Sequence, residues 1–361
     1  MRVALVHEWL TNYAGSECCV AALRDAFPGS PLLTTVFYEP AFAGWEGVRT
    51  TGLQPLVRGP GSHIPLLPAM PAAWRMVRVP AADLVITSFH TFALWARVPM
   101  SAPHVVYCHT PPRFLWLPEQ VTGERLPGGR RTLSLARRAL RPGDRRRAGR
   151  PATWVANSAT TARRVREAYG VVADVVYPPV DVDRFAAALG RPARDDFVVV
   201  SRLVPYKQVE LAVEAFRGLP WPLTVAGTGR QLEALRRTAP SNVSFVGRVP
   251  DADLPALLAG ARAVVLPGEE DFGILPVEAM AAGTPVVAYG RGGALETVTA
   301  GTSGLLFDEP TPTSLADAIR KVAATDWDRA AVSASVSRFA TPRFRAEMSH
   351  IAQAIAEGRE P

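Results

Sequence analysis

The chain has 361 residues, 48% of them hydrophobic and 20% charged, with a net charge of +7. Such a composition excludes a disordered chain, and the length calls for two domains rather than one core. The three cysteines, Cys18, Cys19 and Cys108, lack C-x-x-C spacing and point to a reducing, cytoplasmic compartment, while no apolar run reaches the ~18–20 residues of a membrane span.

The N-terminal "MRVALVHEWL" enters a strand directly, with no signal-peptide pattern. From there, short β-branched or apolar runs alternate with helical stretches rich in Ala, Leu and Arg. The predicted strands are "RVALVH", "LLTTVF", "LVITS", "HVVYCHT" and "TWVANS", then "FVVVSR", "LTVAG", "VSFVG", "AVVLPG", "PVVAYG" and "GLLFD". Near-continuous apolar strands separated by helices predict parallel sheets covered on both faces. These strands are too many for one open sheet. The linker "YPPVDVDRF" (Tyr177 to Phe185), followed by "GRPARDD", divides them. The expectation is an α/β protein with two doubly wound domains, 1–180 and 181–340, and a C-terminal helix, 341–361, packing back on the first. Each domain places its ligand crevice at the carboxyl ends of its strands.

Between Arg130 and Arg150 lie nine arginines and one acid, Asp144. Two readings stand: a solvated face, or attraction to an anionic lipid or a phosphorylated acceptor, which would make the protein peripheral at the inner membrane face. Nucleic acid fits worst, because no aromatic residues interleave the arginines. Pro142 and Gly143 predict that the stretch is not one continuous helix.

The most informative stretch is "EEDFGILPVEAMAAGTPVVAYGRGG", Glu269 to Gly293. It follows the strand "AVVLPG", so Glu270 falls in a carboxyl-end loop and Glu278 in the first turn of the next helix, with Pro276 suiting that turn. The amides of Phe272, Gly273 and Ile274 lie between the two acids. Gly273 admits close backbone approach, and the helix start offers N–H groups that suit phosphate. Ionised carboxylates suit diols. One ligand combines these needs: a sugar nucleotide. After "FVVVSR", Arg202 and Lys207 stand five apart on a strand-to-helix turn, where two cations can clamp a pyrophosphate. "LTVAGTG" places Gly227 after another strand, without a full G-x-G-x-x-G.

The Glu270–Glu278 phrase resembles the E-x7-E motif of retaining glycosyltransferases of family 4, which have the GT-B fold of two Rossmann-like domains facing a central cleft. "HEWLTNYAGSE", "YCHTPPRFLW", "ANSATTARRVREAYG", "VVYPPVDVDRF", "SRLVPYK" and "PGEEDFGILPVEAMAAGTPVVAYGRGGALETV" are similar to a bacterial, GDP-mannose-dependent mannosyltransferase subgroup. The resemblance implies transfer of a hexose, with mannose from GDP-mannose favoured, to a hydroxyl of a glycan, lipid-linked or secondary-metabolite acceptor. It implies that Arg202 and Lys207 bind the donor diphosphate. Glu270 and the backbone from Phe272 through Gly273 and Ile274 to Leu275 hold the sugar, and Glu278 holds the ribose. Gly227, Arg248 and Val249 lie near the nucleotide, and Gly15 and Ser16 in the loop that approaches the donor phosphate. His109 contacts the transferred sugar. Ser88, His90, Arg113 and Trp116 are candidates toward the acceptor.

The implied chemistry is front-side displacement with retention, in which a leaving phosphate oxygen takes the acceptor's proton. No cofactor is expected beyond the substrate nucleotide sugar. No metal is expected either: no Asp-x-Asp near a strand end suggests a metal clamp, and "DVD" at Asp181 sits in the linker. The rival readings are a sugar-nucleotide epimerase or hydrolase of the same architecture, and a non-catalytic sugar-nucleotide-binding subunit.

Overall fold

In the computed structural model, which describes residues 1–121, 129–151, 153–192 and 194–359 (for 119, 121 and 129–132 the backbone alone), the apolar runs become short parallel strands. The described residues divide into two units. One runs from Met1 to Gln120, continues to Pro179 and takes up the chain again from Pro342; the other is built on Val180–Thr341.

The first unit holds a seven-stranded sheet: β1 (Val3–His7), β2 (Leu32–Leu33), β3 (Val48–Arg49), β4 (Leu84–Phe89), β5 (His104–Cys108), β6 (Thr153–Ala156) and β7 (Asp174–Val175). Their spatial order is β3-β2-β1-β4-β5-β6-β7, every pairing parallel. β1, β4 and β5 are buried at every residue, which is why they read as unbroken apolar runs. The two-residue edge strands β3 and β7 are too short to give a sequence signal. "LLTTVF" contributes only Leu32–Leu33 as strand.

The second unit holds six strands: β8 (Phe197–Val200), β9 (Leu223–Ala226), β10 (Val243–Gly247), β11 (Ala263–Leu266), β12 (Val286–Tyr289) and β13 (Gly304–Phe307). Their order is β10-β9-β8-β11-β12-β13, again all parallel. Numbered within the unit, both sheets run 3-2-1-4-5-6, the doubly wound order, and the first adds β7 beyond β6. The order reverses between β1 and β4 in one sheet and between β8 and β11 in the other. A ligand crevice opens where carboxyl-end loops diverge at such a reversal.

Two elements close the units. Asp181 does not lie in a free linker: its carboxylate accepts from the Arg184 amide at 3.3 Å and caps the helix Val182–Ala186, whose Phe185 is buried. The last helix, Thr341–Ala356, buries Phe344, Met348 and Ile351, spaced i, i+4, i+7, in the first unit's core beside Leu5, Leu23 and Tyr107. Phe344 meets Tyr107 edge to face, with centroids 5.3 Å apart. Each such buried side chain contributes about 1.5–3 kcal/mol.

Candidate functional site

In the second unit, β8 and β11 end side by side, and the loops after them bring Lys207 and Glu270 together. Lys207 Nζ donates to Glu270 Oε1, and both side chains are largely covered. Arg202 is exposed and donates to the Tyr206 hydroxyl; Lys207 Nζ lies 5.1 Å from the centroid of the same ring. The structure thus gathers two of the predicted cations and one predicted acid into a single charged cluster, with Tyr206 as a shared brace that the sequence reading did not single out.

The Glu270 loop is held from behind. The Gly293 amide donates to the Glu270 carbonyl at 2.9 Å, and Glu270 pairs with Gly292 as an isolated parallel bridge. A Cβ on Gly293 would lie 2.5 Å from the Phe272 carbonyl carbon, so only glycine lets the two backbones touch. Phe272 turns its ring inward onto Phe339, at 5.3 Å between centroids. Gly273 has φ +88° and caps the helix Ile274–Ala281, in which Leu275 is half-buried. That helix begins two residues earlier than Pro276 suggested, because Gly273 supplies the left-handed turn that starts it. Glu278 is therefore its fifth residue, two positions deeper than predicted and just past the first turn.

Glu278 is half-buried near Arg184 and Asp251, which are themselves paired at 2.8 Å. Burial first, and Asp251 second, push its carboxyl up to about 7, against the pull of Arg184. Gly227 follows β9 and donates to the Gly247 carbonyl at 2.6 Å; Arg248, exposed, and Val249, half-buried, continue from there.

In the first unit the loops after β1, β4 and β5 form a second polar cluster, which includes four of the chain's six histidines. Ser88 Oγ lies 3.0 Å from His7 Nδ1 and 2.7 Å from His109 Nε2. His90 packs edge-on to Trp9 at 4.7 Å, and Trp9 stacks on His63 at 4.4 Å. Burial, then the neighbouring His7, His109 and His63, push the His90 imidazole well below its ordinary range, so it is neutral. Glu8, fully buried, accepts from the amides of His90, Thr91, Phe92 and Ala93 at 2.7–3.2 Å and fixes the loop after β4. Gly15 and Ser16 open the helix Gly15–Ala26. The predicted His109, Ser88 and His90 do come together. His7, Glu8, Trp9, Glu17 and His63 were missed. A polar "HE" directly after an apolar strand was the available signal for the first two; nothing in the sequence marks His63.

Arg113 opens the short helix Arg113–Trp116, but the Trp116 side chain is committed elsewhere. Its indole donates to buried Asp144 at 2.8 Å, beside the Tyr169 hydroxyl at 2.8 Å, and Arg141 and Arg145 lie over its ring. Those arginines belong to the helix Gly129–Ala148, which runs unbroken through Pro142 and corrects the predicted interruption. Its anchors explain the continuity: Arg137 donates to the Phe114 carbonyl, Arg141 to that of Leu115 and Arg145 to that of Ala168, while Arg147 stacks on Trp95 at 3.9 Å. The side chains of Arg130 and Arg131 lie outside the described residues. Among those described, no cluster of His, Cys, Asp and Glu could hold a metal ion, and no helix is long and apolar enough to cross a membrane.

Comparison with known proteins bears on the family and the fold. The family model described as Glycosyl transferases group 1 matches residues 181–335, and that described as Glycosyltransferase Family 4 matches residues 30–184. A GDP-mannose-dependent alpha-(1-6)-phosphatidylinositol monomannoside mannosyltransferase of Mycolicibacterium smegmatis is 31% identical over 261 residues, covering 63% of this chain and 67% of that protein. Its Mycobacterium tuberculosis counterpart is 33% identical over 219 residues, 52% of this chain; there the chain spans only 57% of the relative's length. A 2-deoxystreptamine glucosyltransferase of Streptomyces kanamyceticus is 33% identical over 192 residues, 48% of this chain and 49% of that one. In fold, the chain is similar to Anabaena Alr3699/HepE in complex with UDP-glucose (TM-score 0.69, 19% identity, 98% of this chain and 100% of that one). It is also similar to sucrose-phosphate synthase from Thermosynechococcus elongatus (TM-score 0.71, 18% identity, 98% and 100%).

Proposed function

The chain belongs to the GT-B glycosyltransferases of family 4, and from that premise we propose that it moves mannose from GDP-mannose to an acceptor hydroxyl with retention. The observation that carries this reading is the Lys207–Glu270 pair at the β8/β11 reversal, backed by Gly292 and Gly293. A cation and a carboxylate held together there suit a ligand that carries a diphosphate next to hydroxyls. In the proposed complex Lys207 and Arg202 turn to the diphosphate, and Glu270 accepts from the sugar hydroxyls. The leaving phosphate then takes the acceptor's proton, so the protein's part is positioning and charge stabilisation. GDP-mannose is preferred because relatives bearing that donor in their names share the identity reported above. The epimerase, hydrolase and non-catalytic readings are not favoured by the family. The test is nucleotide release from GDP-mannose and from UDP-sugars, with calorimetry of the free nucleotides. GDP is expected to bind more tightly than UDP, and tighter UDP binding overturns the donor assignment.

Glu278 gives the proposal a pH signature. Its carboxyl ionises near 4.5 when unfolded and at about 7 when folded. The folded state therefore holds more protons between those values, and ligand-free stability falls as pH rises from about 4.5 to about 7. A ribose diol donates best to the ionised form. GDP-mannose, whose own diphosphate does not titrate here, should therefore bind roughly tenfold more tightly at pH 8 than at pH 6. In Glu278→Gln the profile should be flat. An equal slope in both proteins removes Glu278 from the ribose site.

For the arginine-rich helix the structure changes which residues matter. Arg138, Arg146 and Arg150 are exposed, whereas Arg137, Arg141 and Arg147 are half-buried against carbonyls and indoles, and Arg145 is tied to one of each. If this face meets an anionic membrane, replacing Arg138, Arg146 and Arg150 with glutamine should weaken co-sedimentation with phosphatidylglycerol vesicles roughly 10²-fold, at about 1 kcal/mol each. Equal sedimentation of both proteins at low salt returns the helix to a solvated surface.

A further inference from the structure

We infer that Gly227, Gly229 and Tyr206 are positioning residues for Arg202: the two glycines fix the backbone on either side of it, and the Tyr206 hydroxyl fixes its guanidinium beside Lys207. The inference rests on the reading above in placing Arg202 at the diphosphate.

β8 and β9 pair in parallel up to Val200 and Ala226, and the contact continues past both strand ends. The Ser201 amide donates to the Ala226 carbonyl at 3.0 Å, and the Leu203 amide to the Thr228 carbonyl at 2.9 Å. The Leu203 carbonyl accepts in turn from the Gln231 amide at 3.1 Å. Residues 201 and 203 are thus tied down, Leu203 is fully buried, and Arg202 between them is exposed. Glycine is what lets the two loops lie so close. A Cβ on Gly227 would lie 1.8 Å from the Ser201 carbonyl oxygen. One on Gly229 would lie 2.3 Å from the Leu203 carbonyl oxygen and 2.7 Å from the Leu203 amide nitrogen. Both obstacles are backbone atoms of the residues that flank Arg202. A side chain at either glycine must therefore push that backbone, and Arg202 with it, out of place.

The side chain of Arg202 is held as well. An exposed arginine gives up rotamer freedom when a ligand orders it. The Tyr206 hydroxyl removes part of that freedom beforehand by accepting from Arg202 Nη2. Arg202 Cζ lies 5.8 Å from the centroid of the Tyr206 ring, and Lys207 Nζ lies 5.1 Å from the same centroid. One ring thus keeps two cations in one place, where the oxygens of a diphosphate can meet both. The turn after β9, which lacks a full dinucleotide fingerprint, acts through Arg202 and needs no phosphate contact of its own.

The experiment is a pair of double-variant cycles on the full chain, read by calorimetry with whichever of GDP and UDP the native protein binds more tightly, beside thermal melts. Arg202→Ala should lower affinity roughly 10²-fold, and Tyr206→Phe and Gly229→Ala roughly tenfold each. In the Arg202→Ala background neither should cost more than about twofold, because the side chain they position is gone. Gly229→Ala should lower the melting temperature in both backgrounds alike. An affinity loss that needs Arg202, beside a stability loss that does not, separates positioning from a general structural role. Tyr206→Phe keeps the ring and should melt near the native temperature, so it carries the test even where Gly229→Ala fails to fold. Losses that multiply with that of Arg202→Ala, or native affinity in Tyr206→Phe, overturn the positioning roles and leave the reading standing. Native affinity in Arg202→Ala overturns the placement of Arg202 at the diphosphate, and the positioning roles with it.

Discussion

Replacing Lys207 or Glu270 with alanine is expected to reduce sugar transfer by roughly 10²–10³ while the fold stays intact, since one preorganised charge contact contributes that much to a transition state. The two residues sit on loops after different strands and meet through a direct ion pair. Their side chains keep 17% and 20% exposure, so the partner left behind by either substitution can draw on solvent. That limits the loss of stability to the range of a semi-exposed pair, about 1 kcal/mol, rather than the 3–5 kcal/mol of a fully buried one. The double variant should lose much less than the product of the single losses, because each residue holds the other in place. Steady-state rates with GDP-mannose, beside thermal melts, decide the matter. Near-native rates in both single variants would remove the pair from the site.

What was legible in the sequence follows from how local the signal is. β1, β4, β5, β8 and β11 are buried on both faces, and each announced itself as an apolar run. Lys207, Glu270 and Gly273 could be placed because they follow such runs within a few residues. β3 and β7, two residues each on sheet edges, carry no periodicity to read. Pro142 misled for a physical reason. A proline removes one helix hydrogen bond, yet Arg137, Arg141 and Arg145 bind carbonyls of neighbouring elements and Asp144 ties Trp116 and Tyr169 across the same helix. Tertiary contacts overrode the local rule. Glu17 was hidden differently. As a first-turn acid it reads as helix decoration, and only the fold shows that it faces His7, brought there by β1. His63 sits in a loop more than fifty residues from the Trp9 ring it stacks on.

Gly293→Ala is the substitution with the largest expected effect among residues that carry no functional group. The side chain it adds cannot be accommodated by a rotamer change, because what it meets is the Phe272 backbone rather than a flexible side chain. Phe272 cannot retreat without breaking its ring contact with Phe339, and Glu270 cannot move without losing the Gly293 amide bond at 2.9 Å. The strain must appear as a shift of the loop 270–273, at a cost in stability of about 1–3 kcal/mol typical of overpacking. A displacement of about 1 Å in a positioning loop lowers turnover roughly 10²-fold. GDP affinity should fall with it, since the start of the helix Ile274–Ala281 moves as well. Gly218→Ala is the control: a Cβ there meets nothing within 4 Å and the backbone is not left-handed, so both stability and turnover should hold. Calorimetry with GDP and rates with GDP-mannose read the outcome. A Gly293→Ala protein that melts lower yet transfers sugar at the native rate would show the loop to be structural and would move the donor site elsewhere.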